Sequence, residues 1–335
     1  MYVRNFFLLA VCCVVQSLLG PTTILAQTTP TIQSPEYSII AGGDVMLGRR
    51  TAKNIQVYGN GDYGFPWKYV VPTFLKADIS FINLEAVASH KGAPLQKRYA
   101  FRFDPAYLQG LVFAGVDVVS QANNHALDYG YVGLCDSYNN IDALGISVVG
   151  TGCTRQQAIA PVIKTLPDGT RVAFLAMSEF YQGNTATKNR PGFAPFSVVW
   201  MTDMARSLKD NGDADIVIVS VHAGIEHSRV PGKRMEGLYR SLIDGGVDVV
   251  LGHHPHVPQP IEQYADGWIV YSLGNLIFDM HDVLPGTKQQ ILAKVRIRDG
   301  RVIGVRRIPI EMNQYFQPFL VADKERIESG HWEEE

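Results

Sequence analysis

Several things are scarce in this 335-residue chain. It has no block of lysine and arginine, and its formal net charge is only −2. Nothing in the charge pattern therefore points to nucleic acid. No low-complexity tract and no long-period repeat occurs. Cysteines number four. Cys12 and Cys13 fall inside an N-terminal apolar stretch, without the small residue that a lipid-attachment site needs just ahead of its cysteine. Cys135 and Cys153 remain, and in an oxidising compartment they either bridge or persist as two buried thiols. The apolar stretch itself, residues 6–19, falls short of the ~20 residues that span a membrane. With Arg4 ahead of it and "ILA" before Gln27, residues 1–26 read as a signal peptide. The chain is then secreted or periplasmic, and an uncleaved membrane anchor is the alternative.

What is present is apolar sequence, 46% of the chain, enough for one large domain or two small ones. Residues 27–36 ("QTTPTIQSPE") read as a linker. From residue 37, short apolar runs alternate with helix-like segments, the pattern of an α/β domain. "DISFINL", "RVAFLAM", "DIVIVSVH" and "VDVVLGH" are continuously apolar, as expected of strands covered on both faces. Residues 104–114, 130–144, 197–209 and 233–243 suit helices. Two hairpins follow, turning at Ala265-Asp266-Gly267 and at Asp299-Gly300. The domain is taken as residues 37–312, with 313–335 as a peripheral tail.

The chain has nine histidines and gathers three of them in "GHHPHV", directly after an apolar run. Other runs end in the same manner. "YSIIAGGD" ends at Asp44, "ADISFINLE" at Asn83 and Glu85, "VDVVSQANNH" at Asn123, Asn124 and His125, and "ADIVIVSVH" at His222. Ligands of α/β sheets gather beyond the carboxyl ends of the strands, so these groups converge on one rim. Carboxylate, imidazole and amide oxygen together suit Zn, Mn or Fe. A carboxylate such as Glu85 can bridge two ions about 3.5–4 Å apart. The aspartates that open the strands (Asp78, Asp117, Asp215 and Asp248) lie at the opposite ends and read as turn and cap residues.

"AGGDVMLGR", "INLE", "ANNHALDYG", "VHAGIEH", "GHHPHV" and "YSLGNLIFD" stand here in the order seen in the CapA family. Over residues 39–279 the chain resembles these bacterial capsule or poly-γ-glutamate synthesis proteins, whose fold is that of calcineurin-like metallophosphoesterases. The resemblance implies a four-layer αββα sandwich with a dinuclear site at one rim. It implies Asp44, Glu85 (the bridging position), Asn124, His222, His254 and His256 as metal ligands. His125 would contact substrate or the leaving group, and His253, outside the His-x-His pair, would stand behind the ligands. Two departures are visible. Met46 occupies a position where phosphoesterases carry histidine, and Glu85 replaces an aspartate. Glu226 would then compensate as an added ligand or base, and Asn275 would orient substrate or a ligand. Arg102 is a candidate bidentate clamp for a carboxylate or phosphate, and His227 a reader of negative charge.

The expectation is an exported metal-dependent hydrolase holding two ions (Mn, Zn or Fe). It would act on an anionic polymer such as poly-γ-glutamate or on an envelope substrate. The rival expectation is a non-catalytic metal-binding protein that escorts polymer or supports a membrane synthase complex.

Overall fold

The computed structural model describes residues 34–280 and 286–328. The expected signal peptide and most of the expected linker lie outside the described residues. So do residues 329–335 of the tail.

The chain forms two large sheets. The first contains β1 (Tyr37–Val45), β2 (Ile79–Leu84), β3 (Val118–Ser120) and β4 (Ser147–Val149). The second contains β5 (Val162–Thr165), β6 (Arg171–Ser178), β7 (Ile216–His222), β8 (Val249–His253), β9 (Ile261–Tyr264) and β10 (Gly267–Val270). The chain then returns to the first sheet with β11 (Asn275–Ile277), β12 (Gln289–Arg298), β13 (Arg301–Met312) and β14 (Pro318–Leu320). Strand order is β14-β13-β12-β1-β2-β3-β4 in the first sheet, with β11 also pairing β1, and β9-β10-β8-β7-β6-β5 in the second. β1 to β4 run parallel, as do β6, β7, β8 and β10.

Period-2 alternation along these buried strands builds the layers. Ile39, Ala41, Phe81 and Val118 face Phe174, Ile218 and Leu251 in one core between the sheets. Their neighbours Ile40, Ile82 and Val119 pack outward against Phe74, Leu111 and Ile141 from the helical segments over the first sheet. On the second sheet Ala173, Leu175, Val217 and Val219 pack outward against α2 (Val198–Asp210) and α3 (Lys233–Asp244), the helix over the first sheet being α1 (Gly130–Asp142). The result is the expected four-layer αββα sandwich.

The strand-opening aspartates each do one job. Asp78, Asp117, Asp215 and Asp248 accept the backbone N–H of Ser38, Ser80, Arg171 and Val217 at 2.7–2.8 Å, clipping each strand to its neighbour. One difference from expectation lies at the C-terminal side. The segment read as a peripheral tail contributes β14 to the sheet edge, with Phe316 and Phe319 buried. Three short apolar or aromatic residues are too few to show a period in sequence. Cys135 and Cys153 form a disulfide that joins α1 to the segment ahead of β5. No helix among the described residues is long and apolar enough to cross a membrane.

Candidate metal centre

The parallel strands of both sheets point their carboxyl ends at one place, and the charged side chains there are buried. β1 bends as it arrives. At Gly43 an added Cβ would lie 1.9 Å from the Gly274 carbonyl oxygen. Only glycine lets the two backbones close to the 2.9 Å hydrogen bond from Asp44 N to Gly274 O. That contact sets Asp44 beside Asn275, its partner in the β1–β11 register.

Asp44 and Glu85 are both fully buried. Asp44 is well supplied with partners. Asn83 Nδ2 donates to its Oδ1 at 2.8 Å, His254 N donates to its Oδ2 at 3.3 Å, and His253 Nδ1 and His256 Nδ1 lie 3.4 and 3.3 Å away. Burial alone would raise the Asp44 carboxyl, yet His253 and His256 hold it well below the usual carboxylate range. Glu85 is the opposite case. Neither of its carboxylate oxygens has a hydrogen-bond partner, and burial together with Asp44 pushes its carboxyl well above the usual range.

Around Glu85 Oε1 stand three imidazole nitrogens, Nε2 of His222 at 3.7 Å, of His125 at 3.8 Å and of His256 at 3.9 Å. Two candidate ligand triads result, Glu85–His222–His254 and Asp44–Glu85–His256, with the donor atoms of each within 4.8 Å of one another. They share Glu85. Asn124 Oδ1 lies 3.0 Å from His222 Nε2, so the amide oxygen and the imidazole converge on one point. Asn275 Oδ1 lies 2.8 Å from His256 Nδ1 and fixes that ring.

The imidazoles are in the state that binds metal. Burial, then His254, lowers His222 well below its ordinary value, and burial with His256 brings His254 down to about 3. Both are neutral, with a lone pair to offer. His256 differs. Burial would lower it, but Asp44 raises it. The loop carrying these rings is strained, with positive φ at His254 (97°) and His256 (57°) on either side of Pro255. Such backbone costs roughly 1–3 kcal/mol per residue and clusters at functional sites.

His125 belongs to neither triad. Its ring stacks on Phe101 at 3.9 Å, and its Nδ1 lies 2.6 Å from Asp128 Oδ2. Asp128 also takes Lys97 Nζ and the Phe101 N–H, and Lys97 donates to the Asn124 carbonyl at 3.0 Å. Nε2 is thereby left facing Glu85. Burial lowers His125, while Asp128 works against that shift.

Other expected residues stand apart. Glu226 joins neither triad. Its side chain is 53% exposed at the rim, 3.8 Å from His227, which burial lowers, followed by the nearby charge of His256. Arg102 lays its guanidinium over the Tyr129 ring at 4.2 Å. The arginine engaged near the Phe101–His125 stack is Arg49, 5.1 Å from the Phe101 ring and held by Asp279 at 3.2 Å. Met46 is no ligand. It is packed in the core over the first sheet, and its sulfur accepts the Gly48 N–H at 3.1 Å. His253 belongs to neither triad, and its Nδ1 lies 3.4 Å from Asp44 Oδ1. Asn83, named among the strand-end groups, proves to orient Asp44, whereas Lys97 and Asp128 were missed as site residues, although Asp128 lies inside the "ANNHALDYG" motif, three residues after His125.

The sequence profile described as "Bacterial capsule synthesis protein PGA_cap" matches residues 38–280. Capsule biosynthesis protein CapA of Bacillus anthracis is 30% identical over 281 residues, 81% of this chain and 66% of that protein. PGA biosynthesis protein CapA of Bacillus subtilis (strain 168) is 31% identical over 262 residues, 75% of this chain and 66% of that protein. The match thus spans just under two thirds of the length of either Bacillus protein. A probable polyglutamine synthesis accessory protein of Mycobacterium tuberculosis is 26% identical, over 83% of this chain and 85% of its own. A phosphatase from Mycoplasma pneumoniae superposes with a TM-score of 0.47 at 14% identity, covering 84% of this chain and 97% of that one. The matched residues run from β1 through the strand-end motifs to the segment after β11, and on that span this chain belongs to the bacterial capsule synthesis proteins of the PGA_cap family.

Proposed function

We propose that this chain is an exported metal-dependent hydrolase acting on an anionic polymer or envelope substrate in capsule synthesis. Its residues fit a pair of divalent ions. A fully buried carboxylate with both oxygens unpaired is costly unless something binds it, and Glu85 is in that position with imidazoles on one side and Asp44 on the other. Glu85, His222, His254 and Asn124 would hold one ion, and Asp44, Glu85 and His256 the second, whose site lacks any help from Met46. Mn, Zn or Fe suits that donor set, and such ions polarise a substrate oxygen and supply hydroxide near neutral pH.

The observation that carries catalysis is His125. A site that used its metal only to hold the fold would need no imidazole outside the ligand set, steered by Asp128 and stacked by Phe101. With Nδ1 fixed by Asp128, Nε2 can take up or release a proton at the substrate. His227 at the rim would meet the substrate's negative charge, and Glu226 beside it would serve as a base. Export is supported by the Cys135–Cys153 disulfide, since such bonds persist in oxidising compartments. The non-catalytic reading draws its support from the Mycobacterium relative, which is called an accessory protein.

Two substitutions separate the readings. His254→Ala should lower metal content and activity together, because the ligands share the binding free energy. His125→Ala should keep metal content and melting temperature while turnover falls about 10²–10⁴-fold. Elemental analysis, thermal melts and a panel of phosphoester and γ-glutamyl substrates provide the readouts. Full activity in His125→Ala would remove the catalytic assignment and leave the accessory role.

A further inference from the structure

The β12–β13 hairpin carries charge that the metal centre does not use. On β12, Ala293, Val295 and Ile297 face the core between the sheets. Lys294, Arg296 and Arg298 therefore lie on the other face. On β13, Arg306 stands directly across from Lys294, and Arg301 directly across from Arg298. Five cations share one face of two adjacent strands.

Folding does not call for this arrangement. Like charges directly opposite one another destabilise an antiparallel pair, and the hairpin has two such pairs in a chain of formal net charge −2. Among the described residues, Lys294, Arg301 and Arg306 form no ion pair. The other two cations show what the face can hold. Arg296 takes the Glu36 carboxylate through Nε and Nη2, both at 2.7 Å, and Arg298 Nη2 reaches the same group at 3.0 Å. One carboxylate is thus already bound by a paired fork, the geometry in which arginine recognises carboxylates best.

Spacing and composition narrow the ligand. Alternate residues stand about 6.6–6.8 Å apart along a strand and about 5 Å across the pair, a regular grid for repeated charges. Bilayer docking uses exposed apolar side chains as well as cations, and Ile303 is the one large apolar side chain this hairpin exposes among the described residues. The face is remote from the metal. Arg296 pairs with Ser38 near the start of β1, whereas Asp44 lies near its end.

The geometry points to a docking face for a linear polycarboxylate on the β12–β13 hairpin, at the pole opposite the metal centre. It rests on the proposed anionic polymer, which it would hold while another stretch of the same chain reaches the metal centre.

The test uses the full chain in chelator, so that no metal contributes, titrated with end-labelled poly-γ-glutamate of defined length by fluorescence anisotropy at several salt concentrations. Arg301 and Arg306 are exposed, and the double variant Arg301→Ser/Arg306→Ser removes both without touching Glu36. Affinity should fall about tenfold or more, and the salt dependence should become shallower by roughly two ions. Its melting temperature should hold or rise. Unchanged affinity in the double variant overturns the docking face. An equal loss in His254→Ala overturns it too, by placing the polymer at the metal centre. Tighter binding to phosphatidylglycerol vesicles than to polymer, with the same dependence on Arg301 and Arg306, would make the partner a membrane surface instead. Polymer that docks but is never cleaved by the metal-loaded protein would remove the hydrolase reading and leave the docking face standing.

Discussion

Replacing Glu85 with glutamine should stabilise the metal-free protein and abolish most of its response to metal. In chelator, both Glu85 oxygens are buried without a hydrogen-bond partner, and the carboxyl stands next to Asp44. An unsatisfied buried acceptor costs about 1–3 kcal/mol, and a glutamine amide can donate toward Asp44 instead. A domain larger than about 250 residues shifts its melting point by about 2 °C per kcal/mol, so metal-free Glu85→Gln should melt a few degrees above the native protein. Metal reverses the order. An ion at a hundred times its dissociation constant stabilises by about 2.7 kcal/mol. Both triads pass through Glu85, so the variant forfeits that increment at each position. Calorimetric melts across a Mn or Zn titration, with metal content measured on the same samples, give two curves that cross. A variant that melts below the native protein in chelator, yet keeps its full metal-induced rise, would refute the bridging role.

Asp128→Asn should leave metal content intact while turnover falls about 10²-fold or more, because His125 loses the anionic partner on Nδ1; steady-state kinetics and elemental analysis decide it. Reducing the Cys135–Cys153 bond, which spans 18 residues of sequence, should cost about 3 kcal/mol in urea midpoint measurements with and without reductant. No shift on reduction would mean that the unfolded chain gains nothing from the opened loop. Phe81→Ala should cost about 3–5 kcal/mol, since Phe81 stacks on Phe174 at 5.8 Å in the core between the sheets. N-terminal sequencing of exported material should begin after Ala26, and a start at Met1 would refute the signal peptide.

The strands were legible because full burial makes them continuously apolar, and their polar endings stood out against that background. That is why the sequence alone points Asp44, Glu85, His222 and the histidine cluster at one rim. Orientation was less legible. Met46 follows Asp44 by two residues, yet its side chain turns into the core, because β1 shifts register near the Gly42–Gly43 pair and strand alternation no longer holds. Arg102 read as a clamp because it is an arginine in the connection that follows the Glu85 strand, but nothing in sequence revealed that Tyr129 would occupy its guanidinium. Asp128 was hidden for a related reason. Its worth lies in three contacts, to His125, Lys97 and Phe101, of which only the first is local in sequence. Asn275 was legible as a group that orients substrate or a ligand, but not which one, because β11 is three residues long and its pairing partner lies more than 200 positions earlier.

The candidate ligands divide between the sheets, with Asp44, Glu85 and Asn124 following strands of the first, and His222, His254 and His256 following strands of the second. An ion shared among them would therefore staple two parts of the chain that are made at different times. Neither part can assemble the site by itself, so a nascent or unfolded chain offers no such cage to whatever metals surround it. Under the proposed export, the choice of metal would fall to the compartment where the sandwich closes, and not to the one where the chain is made.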